Sequence, residues 1–571
     1  MALLELKLAK SFSDVADLLR VRPKNLAYLL YSSSYVRYQS FDIPKRNGLT
    51  RPILAPEARL KSLQSKLSQL LQDCLDEIHA DEDSLRFASH GFTRNASIVT
   101  NAIRHRNKRH VLNVDIEDFF GSINFGRVRG YFIKNKQFEL DPSVATAIAQ
   151  IACHDNKLPQ GSPCSPVISN LIAQILDMRM LKLAKRLKCD YSRYADDLTI
   201  STNLKNFPTE LAHPTKLVPE LVVPGKSLTS EIAGAGFKVN MNKTRLQSHI
   251  QRQDVTGLIV NRKINTRSEY WRETRAQVHS LITTDSFRIY DLAEGNYRAG
   301  RAAELQGRLS HIFYVDSFNR KLNDELIRRK NQKPKNDHSL IEKLTSREQT
   351  YKEFLHYTIL KRPEYPLIIC EGVTDIVYIR SALKSYKDRY PLMVVTQNEE
   401  LQYRVKFLKP SRTKTKLMNY PEGASGLAKL IDSHAEFCRH YKISSSNPVI
   451  FLTDNDKAAK EIFNKVRGLS KKPCDGSKPS YHIFDNLFLV PIPKKDEHDI
   501  VIEQLFDPHL LSTELDGKRF NPSDKIDTAS EYGKKIFAER VVRPNCEHID
   551  FSRFRPLLDT ISAILEKNKQ I

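Results

Sequence analysis

Three aspartates in the first half of the chain lie where short β-strands are predicted to end. Asp115 follows a β-rich run from His110 to Val114, and Asp196 and Asp197 lie within residues 190 to 201, which alternate like a β-hairpin. Nucleotidyl transfer uses two Mg²⁺ ions, one to lower the pKa of the attacking hydroxyl and one to bind the incoming triphosphate and the departing pyrophosphate. Magnesium prefers oxygen ligands. If these strands are neighbours in one sheet, the three carboxylates converge on such a pair of ions, although Asp-Asp is also an ordinary turn sequence.

Helices and a hairpin are predicted to position these carboxylates. Residues 1 to about 40 have the pattern of short helices, and residues 40 to 56 that of a hairpin whose turn is Lys45-Arg46-Asn47-Gly48. The further helical segments of this half are Glu57 to Ile78, Pro142 to Cys153 and Pro166 to Leu187.

The charge of the chain points to a polyanionic partner. Its 571 residues exceed what one hydrophobic core usually serves, which suggests about three or four domain-sized units. Lys and Arg number 90 against 67 Asp and Glu, a net charge of +23 with a pI near 9.5. Such a surplus of cations favours nucleic acid as the partner, although a well-solvated surface has the same composition.

Cysteines and apolar runs argue against several other classes of protein. The eight cysteines lie far apart with no C-x-x-C pair, so neither a zinc module nor a disulfide framework is indicated. The first residues lack the apolar core of a signal peptide. The apolar runs are much shorter than the roughly 20 residues that span a bilayer. We therefore expect a cytoplasmic protein without a membrane partner.

Six segments in chain order resemble the successive blocks of bacterial reverse transcriptases. They are IPKRNGLTRPILAP (43 to 56), VLNVDIEDFFGSI (111 to 123), LPQGSPCSPVISN (158 to 170), YADD (194 to 197), GFKVNMNKTRL (236 to 246) and VTGLIVN (255 to 261). Two signatures resemble those of retron reverse transcriptases, namely Asn-Ala-x-x-His from Asn101 to His105 and Val255-Thr256-Gly257. The resemblance covers roughly residues 20 to 320.

The resemblance implies roles for the acids and for one lysine. Asp115 and Asp196 would bind both Mg²⁺ ions, and Asp197 would be a weaker ligand. Lys243 would lie near the leaving pyrophosphate as a general acid. An ordinary surface lysine is the alternative.

The resemblance also implies a nucleotide pocket. Arg51, with Lys45 nearby, would grip the triphosphate. Phe120 holds the family's steric-gate position, where a ring would exclude a ribose 2′-OH; since Phe119 and Phe120 would face opposite ways in a strand, a core role for Phe120 is the alternative. Gln160 would contact the sugar or base of the nucleotide.

The two retron signatures are the predicted RNA contacts. Asn101 and His105 lie four residues apart on one helix face, where they could contact RNA or satisfy the core. For Val255, Thr256 and Gly257 the alternative is a turn before a strand.

Family membership would also define the partners. Retron enzymes copy a structured non-coding RNA, prime from the 2′-OH of an internal guanosine, and make RNA-linked single-stranded DNA. The resemblance therefore implies this RNA, dNTPs, an RNA–DNA hybrid and the DNA product as partners in a bacterial cytoplasm, with a homo-oligomer as an open alternative. The basic, largely helical segment from Arg262 to Arg329 suits recognition of folded RNA.

A second set of acids follows two apolar runs that are typical of buried parallel strands. Pro366 to Cys370 precedes Glu371-Gly372-Val373-Thr374-Asp375, and Pro448 to Thr453 precedes Asp454-Asn455-Asp456. This arrangement resembles the TOPRIM fold of topoisomerases, primases and OLD-type nucleases.

The TOPRIM resemblance implies a second metal site. Glu371 would be a general acid/base or metal ligand, and Asp454 and Asp456 would be ligands of one or two Mg²⁺ ions. Other candidates are Asp375, the loop Glu422 to Gly426, and Glu503. The alternative is a scaffold in which these acids cap helices. No G-x-x-x-x-G-K-[ST] motif occurs in the chain.

Together the patterns predict a multidomain α+β polymerase right hand with fingers, palm and helical thumb, followed by an α/β TOPRIM-like domain. The predicted boundaries are 1–110 for N-terminal helices and fingers, 111–260 for the palm, 261–330 for the thumb, 331–360 for a linker, and 361–571 for the TOPRIM-like domain with a C-terminal extension.

Three functions compete. The first is a retron enzyme whose TOPRIM domain is a Mg²⁺-dependent nuclease in antiphage defence. In the second, the C-terminal domain is a non-catalytic module that assembles the ribonucleoprotein. The third, an intron maturase, commonly adds a Cys- and His-rich endonuclease, and no paired cysteines follow the thumb here.

Overall fold

The computed structural model describes most of the chain as two compact units. The described residues are 1–44, 50–81, 88–214, 222–291, 294–329, 344–398, 400–421, 423–494, 498–523 and 525–569. The first unit comprises Met1–Arg272, Tyr290–Arg298 and His311–Asn336, and the second comprises Glu273–Ile289, Ala299–Ser310 and Asp337–Ile571.

The helices of the first unit include those predicted from the apolar periodicity. They are α1 (Ala2–Leu8), α2 (Phe12–Leu18), α3 (Pro23–Tyr31), α4 (Ala58–Asp81), α5 (Ile98–Arg104), α6 (Phe125–Lys134), α7 (Pro142–Ala152), α8 (Ser165–Arg186) and α9 (Lys226–Gly234). Helix α4 buries one stripe of leucines, whereas α8 is buried on most of its surface. These helices surround the sheet that carries the aspartates.

The strands of the first unit form hairpins and one larger sheet. They are β1 (Tyr38–Pro44), β2 (Thr50–Pro56), β3 (His110–Ile116), β4 (Asp190–Tyr194), β5 (Asp197–Thr202), β6 (Ala212–Pro214), β7 (Val222–Pro224), β8 (Val239–Ser248), β9 (Asp254–Val255) and β10 (Leu258–Ile259). Four of them pair antiparallel in the order β4-β5-β3-β8. The β1–β2 hairpin is present as predicted, and its predicted turn lies outside the described residues.

The segment predicted as a largely helical thumb contains a hairpin. Between α10 (Ser268–Thr284) and α11 (Ala302–Arg329) lie β11 (Arg288–Asp291) and β12 (Asn296–Ala299). Tyr290 and Tyr297 pack ring against ring at 5.3 Å, and Gly295 has φ of +65°. A paired aromatic and a residue suited to a left-handed turn favour a hairpin, which the prediction of a largely helical segment did not include.

The second unit has a mainly parallel sheet. Its strands are β13 (Leu367–Cys370), β14 (Val394–Gln397), β15 (Glu400–Tyr403), β16 (Lys406–Phe407), β17 (Val449–Thr453), β18 (Tyr481–Phe484), β19 (Leu487–Pro491), β20 (Arg519–Phe520) and β21 (Glu531–Tyr532). The large sheet has the order β16-β13-β17-β19-β18, in which β18 alone is antiparallel to its neighbour. All residues of β13 and β17 are buried, as their continuous apolar sequences predict.

Helices connect and cover these strands. They are α12 (Ser346–Leu355), α13 (Asp375–Ser385), α14 (Arg412–Met418), α15 (Ala424–His440), α16 (Lys460–Ser470), α17 (Pro508–Leu511), α18 (Lys534–Ile536) and α19 (Arg555–Lys569). Two π-helical segments, His356–Lys361 and Phe537–Val542, continue α12 and α18.

Part of the predicted linker is folded. The range 331–360 includes α12, whose first turn is closed by a capping box between Thr345 and Glu348 and whose Tyr351 and Phe354 are buried. A helix that buries aromatic side chains belongs to a folded unit, so the linker prediction was wrong for this part. Among the described residues, no helix combines the length and the apolar character that crossing a membrane requires.

Candidate active site

The sheet of the first unit brings the three aspartates to one end. Asp115 on β3 lies opposite Asp197 at the start of β5. The turn between β4 and β5 is formed by Ala195, with φ of +56°, and Asp196. The amide of Ile116 donates to the main-chain carbonyl of Asp196 at 3.0 Å, which ties the turn to the end of β3. Backbone pairing therefore sets the arrangement of the three acids.

A bulge in β8 presents Lys243 to this cluster. Asp115 pairs with Asn240 and Asn113 pairs with Arg245, so β8 has extra residues at this point. The ammonium of Lys243 donates to both carboxylate oxygens of Asp115, at 2.8 and 2.7 Å. Asp115 is only 4% exposed, whereas the side chain of Lys243 is 60% exposed. Lys243 is therefore neither an unpaired surface lysine nor remote from the acids.

The electrostatics of the cluster favour a bound cation. Desolvation, followed by the charges of Asp196 and Asp115, raises the pKa of Asp197 to about 6. Desolvation acts on this residue although its surface is exposed, because its carboxyl lies among many protein atoms. Desolvation also raises the pKa of Asp196, and the charge of Asp115 adds to this. A cation would relieve this repulsion, and the ammonium of Lys243 stands in for one at Asp115.

The donor chemistry of the acids fits magnesium. Carboxylate oxygens are the ligands that Mg²⁺ prefers, and the three acids meet at one end of a rigid sheet. Within the described residues, however, no three His, Cys, Asp or Glu side chains are already arranged at ligand distances from a common point.

A buried ion pair that the sequence reasoning missed supports the hairpin. Arg193, which is completely buried, donates Nε and Nη2 to the two oxygens of Asp177 at 2.8 and 2.7 Å. Its Nη1 donates to Asn170 at 3.0 Å and to the carbonyl of Ala195 at 3.2 Å. The hydroxyl of Tyr191 also donates to Asp177, at 2.8 Å. The network fixes the turn that carries Asp196. In the sequence, the one sign of this network is an arginine two residues before the predicted turn.

The two phenylalanines after Asp115 differ in burial. Phe119 is buried and stacks on Phe237 at 5.5 Å, whereas Phe120 is half-buried and lies 6.2 Å from Phe92. The strand ends at Ile116 and the next residues form turns, so strand alternation is not the reason for this difference. Phe120 is thus the ring that remains partly accessible.

The predicted nucleotide-binding residues lie on or beside β2. The amide of Leu54 donates to the carbonyl of Gln160 at 2.9 Å, and a Cβ on Gly161 would lie 2.4 Å from the carbonyl oxygen of Leu54. Gly161 therefore permits a close approach of the protein's own backbone. Arg51 is exposed on β2, and its charge lowers the pKa of Asp196, against the larger effect of desolvation. Lys45 lies outside the described residues.

Direct RNA contact by Asn101 and His105 does not fit their burial. Both are 0% exposed. His105 hydrogen-bonds Ser201 through Nδ1 at 2.8 Å and Ser192 through Nε2 at 2.7 Å, and Ser192 donates to Asn101. Burial lowers the pKa of His105 to about 3, so the ring is neutral. The alternative, in which these residues satisfy the core beneath the sheet, is what the structure supports.

The second signature packs against the first. Val255 is buried in one cluster with Val99 and Ala102 of α5. Thr256 and Gly257 form the turn between β9 and β10, with φ of +47° and +84°, and the hydroxyl of Thr256 donates to the carbonyl of Ile98 at 3.3 Å. The turn alternative explains these residues structurally; Gly257 alone is exposed.

In the second unit, Glu371 is held between three segments. One carboxylate oxygen accepts from the amide of Ala424 at 3.0 Å, and the other accepts from the Thr453 hydroxyl at 2.9 Å and the Asp454 amide at 3.3 Å. Glu371 and Asp454 follow the adjacent parallel strands β13 and β17. Of the predicted loop at 422–426, Ala424 contacts Glu371, while Glu422 lies outside the described residues.

Two further acids and a lysine complete this cluster. Burial raises the pKa of Asp454 to about 8, with contributions from Asp375 and Glu371. Burial also raises the pKa of Asp375 to about 7, with contributions from Glu503 and Glu371. Glu503 is buried, and Lys534, which the sequence reasoning missed, lies 3.2 Å from it. The carboxyl groups of Glu371, Asp375, Asp454 and Glu503 therefore interact electrostatically with one another.

Asp456 has a structural contact that the predicted ligand role did not include. One of its oxygens accepts from the amides of Ala458 and Ala459 at 2.9 and 3.1 Å, just before α16. Asp456 and Glu503 also line a cavity of about 380 Å³. Asp456 therefore holds the turn that leads into α16, and it also borders an open space.

Comparison with known proteins relates the chain to one family. Residues 43–277 match the family described as reverse transcriptase (RNA-dependent DNA polymerase). Retron Ec86 reverse transcriptase of Escherichia coli is 30% identical over 317 residues, which cover 55% of this chain and 87% of that relative. Retron Mx162 reverse transcriptase of Myxococcus xanthus is 34% identical over 239 residues, covering 39% of this chain and 47% of the relative.

Among solved structures, a telomerase of Candida albicans aligns with a TM-score of 0.28 and 12% identity over 43% of this chain and 50% of that one. That similarity is too low to add to the assignment. The retron relatives suffice, because the match with the Escherichia coli enzyme covers most of that protein. This chain belongs to the retron reverse transcriptases, which are RNA-directed DNA polymerases.

Proposed function

We propose that the chain copies a structured non-coding RNA into RNA-linked single-stranded DNA by 2′,5′-branched priming, and that its second unit is a TOPRIM nuclease in antiphage defence. The observation that carries the first part is the meeting of Asp115, Asp196 and Asp197 at one end of a paired sheet. The RNA template-primer, dNTPs, the heteroduplex and the DNA product would be the partners, in the cytoplasm of a bacterium.

Different residues of the first unit would have different roles in polymerisation. Two Mg²⁺ ions, when bound, would activate the attacking hydroxyl and stabilise the triphosphate charge. Asp115, Asp196 and Asp197 would hold them. Lys243 holds a proton beside Asp115 and has an exposed side chain that can reach a leaving phosphate.

Substrate selection is assigned to residues around the acids. Arg51 is exposed near Asp196 and would bind triphosphate oxygens. The half-buried ring of Phe120 would exclude a ribose 2′-OH, and Gln160 would contact the nucleotide.

Primer extension tests the polymerase assignment. The purified chain should incorporate dTTP on a poly(rA)/oligo(dT) template-primer with Mg²⁺, and EDTA should stop incorporation. The Asp196→Asn variant should be inactive while a surface variant such as Asp190→Asn, at the other end of the same hairpin, stays active. Equal incorporation of dTTP by wild type and Asp196→Asn would contradict the assignment of Asp196 to the polymerase site.

The nuclease assignment is supported by the place of the second cluster. Glu371 and Asp454 follow adjacent parallel strands, at the edge where α/β sheets place ligands. Buried acids with pKa values near 7 and 8 beside further carboxylates have the electrostatics of a cation site. One or two Mg²⁺ ions, when bound there, would act on a phosphodiester. Glu371 and Asp454 would hold them, with Asp375 assisting.

An assembly module without catalysis is the second candidate function of this unit. Asp456 accepts from two amides in the turn before α16, and Lys534 already neutralises part of the charge of Glu503. Both contacts are structural. Incubating the full chain with labelled single-stranded and duplex DNA in Mg²⁺ separates the two functions. Cleavage that Glu371→Gln abolishes and Asp196→Asn preserves supports the nuclease, and no cleavage under any condition favours the module.

A further inference from the structure

A cavity of about 480 Å³ in the second unit has strongly basic walls. Five cationic side chains line it: Arg380, Lys384, Lys409, Lys535 and Arg543. Among the described residues that line the cavity, Glu539 is the one carboxylate, and it is already paired with Arg543. Lys384 is likewise paired, with Glu547 at 2.9 Å. Arg380, Lys409 and Lys535 therefore give the cavity its net positive charge, which suits an anionic ligand.

Two segments of the cavity wall continue along the chain into the carboxylate cluster formed by Glu371, Asp375, Asp454 and Glu503. Val373 and Thr374 line the cavity and lie between two of these acids, and the Thr374 hydroxyl donates to Asp375 at 3.4 Å. On another side, Lys535 follows Lys534, the partner of Glu503. The acids themselves do not line the cavity, but the segments that carry Glu371, Asp375 and Lys534 continue directly into its wall.

The cavity also has apolar and aromatic surface. Ile376, Val377 and Ala538 line it, and Val373 at its edge is 47% exposed. The guanidinium of Arg380 lies 5.0 Å from the ring of Tyr403, which holds the cation in place. Its Nε is buried without a hydrogen-bond partner among the described residues. Apolar surface beside fixed cations is the combination that binds an unpaired base and its phosphate.

We propose that this cavity binds a single strand of nucleic acid, with phosphates on its cations and a base on its apolar surface, and leads the strand to the carboxylate cluster. Its volume is that of a ligand pocket, which admits unpaired nucleotides, whereas a duplex would offer only its backbone to the rim. The last step, delivery to the acids, rests on the proposed nuclease function. Strand binding does not.

Cross-linking separates this cavity from the polymerase site in the same chain. The full chain would be irradiated with (dT)12 or (rU)12 in EDTA, and cross-linked peptides identified by mass spectrometry. Peptides that contain Thr374 or Tyr403 should be labelled. Because Lys409 and Lys535 are exposed cavity residues, the variant Lys409→Glu/Lys535→Glu should lower this labelling about tenfold or more. The labelling that remains should decrease less steeply with salt concentration than the labelling of wild type.

A matched control variant makes the same change of charge at surface positions away from the cavity. Lys429 on α15 and Lys567 on α19 are exposed and do not line the cavity, so Lys429→Glu/Lys567→Glu should label like wild type. Equal labelling of both oligomers supports recognition of phosphate and base, and a preference for one adds the sugar. Absence of labelling at these peptides, equal labelling in both double variants, or equal competition by polyglutamate overturns the proposal.

The outcomes also distinguish this proposal from the nuclease function. Labelling that depends on Lys409 and Lys535 in a protein that never cleaves DNA leaves the binding site standing and removes the nuclease. Cleavage that depends on Glu371 but is unchanged in Lys409→Glu/Lys535→Glu supports the nuclease and removes the proposed strand-binding role of the cavity.

Discussion

The two carboxylate clusters of this chain lie at strand ends but are built differently. Asp115 and Asp197 face each other across hydrogen-bonded antiparallel strands, and Lys243 covers one of them. Glu371 and Asp454 follow parallel strands and lie 83 residues apart in the sequence; burial raises the pKa of Asp454 to about 8 and that of the neighbouring Asp375 to about 7. In the first cluster, desolvation raises the pKa of Asp197 to about 6.

This difference shows two ways to keep like charges together. In the first unit, backbone register places the acids and the ammonium of Lys243 lowers the repulsion. In the second, burial keeps protons on the acids near neutral pH, and Lys534 offsets only one of them. We therefore expect loss of an acid to affect the first cluster through catalysis and the second through pH-dependent stability.

The largest effect is expected from loss of a polymerase acid. Asp115→Asn should lower RNA-templated DNA synthesis by on the order of 1,000-fold, since a catalytic metal supplies several kcal/mol. The melting temperature should stay close to that of wild type, because the change also removes the partner that repels Asp196. Activity and thermal unfolding measured on one preparation check this. A large loss of stability would mean that the acid is mainly structural.

The next effect concerns the support of the first cluster. Arg193→Met should cost about 3–5 kcal/mol of unfolding free energy, because Asp177 would remain buried without its partner. Denaturant unfolding measures this loss. Arg193→Met/Asp177→Leu should recover part of it, whereas Arg186→Met, which removes an exposed ion pair with Glu210, should cost under about 1 kcal/mol. Equal effects of the two arginine variants would contradict the role of the network.

The pH dependence of stability sharpens the comparison. An acid whose folded-state pKa lies above its unfolded value of about 4 binds protons more tightly when folded. The raised pKa values of Asp375 and Asp454 therefore stabilise the fold at low pH, and this contribution is lost as the pH rises through about 7 and 8.

Thermal unfolding in EDTA between pH 6 and 9 measures this loss. The melting temperature should fall as the pH rises, and Asp454→Asn should flatten the curve, while Asp559→Asn on the exposed side of α19 should not. An unchanged slope in Asp454→Asn would show that the cluster does not carry these protons.

The smallest effect is expected at Asp456. Asp456→Ala removes the oxygen that accepts from Ala458 and Ala459, which should cost about 1 kcal/mol of unfolding free energy. Asp456→Asn keeps an acceptor and should cost less. If both variants stay stable and both lose DNA cleavage, Asp456 acts as a ligand and not only as a cap.

Local pattern predicted the acids and most helices of the first unit. The Asp-Asp turn and the strand before Asp115 are short-range features, and pairing of adjacent strands brought them together. The bulge that presents Lys243 depends on how β8 pairs with β3, and this register is not visible in either strand alone.

Long-range contacts explain what the sequence reasoning missed. For Asn101 and His105 the sequence left RNA contact and a core role open, and the hydrogen bonds to Ser192 and Ser201, which lie far away in the sequence, decide for the core. The hairpin at Tyr290 and Tyr297 was hidden between helical patterns. Lys534 reaches Glu503 only after the second unit has folded.

The most direct test is the nucleic acid that copurifies with the protein from cells carrying the gene with its flanking DNA. We predict that wild type and Glu371→Gln both yield a short single-stranded DNA joined to RNA, whose mobility changes after treatment with a 2′,5′-debranching enzyme, and that Asp196→Asn yields the RNA alone. Absence of linked DNA from wild type, or its presence in Asp196→Asn, would contradict the account.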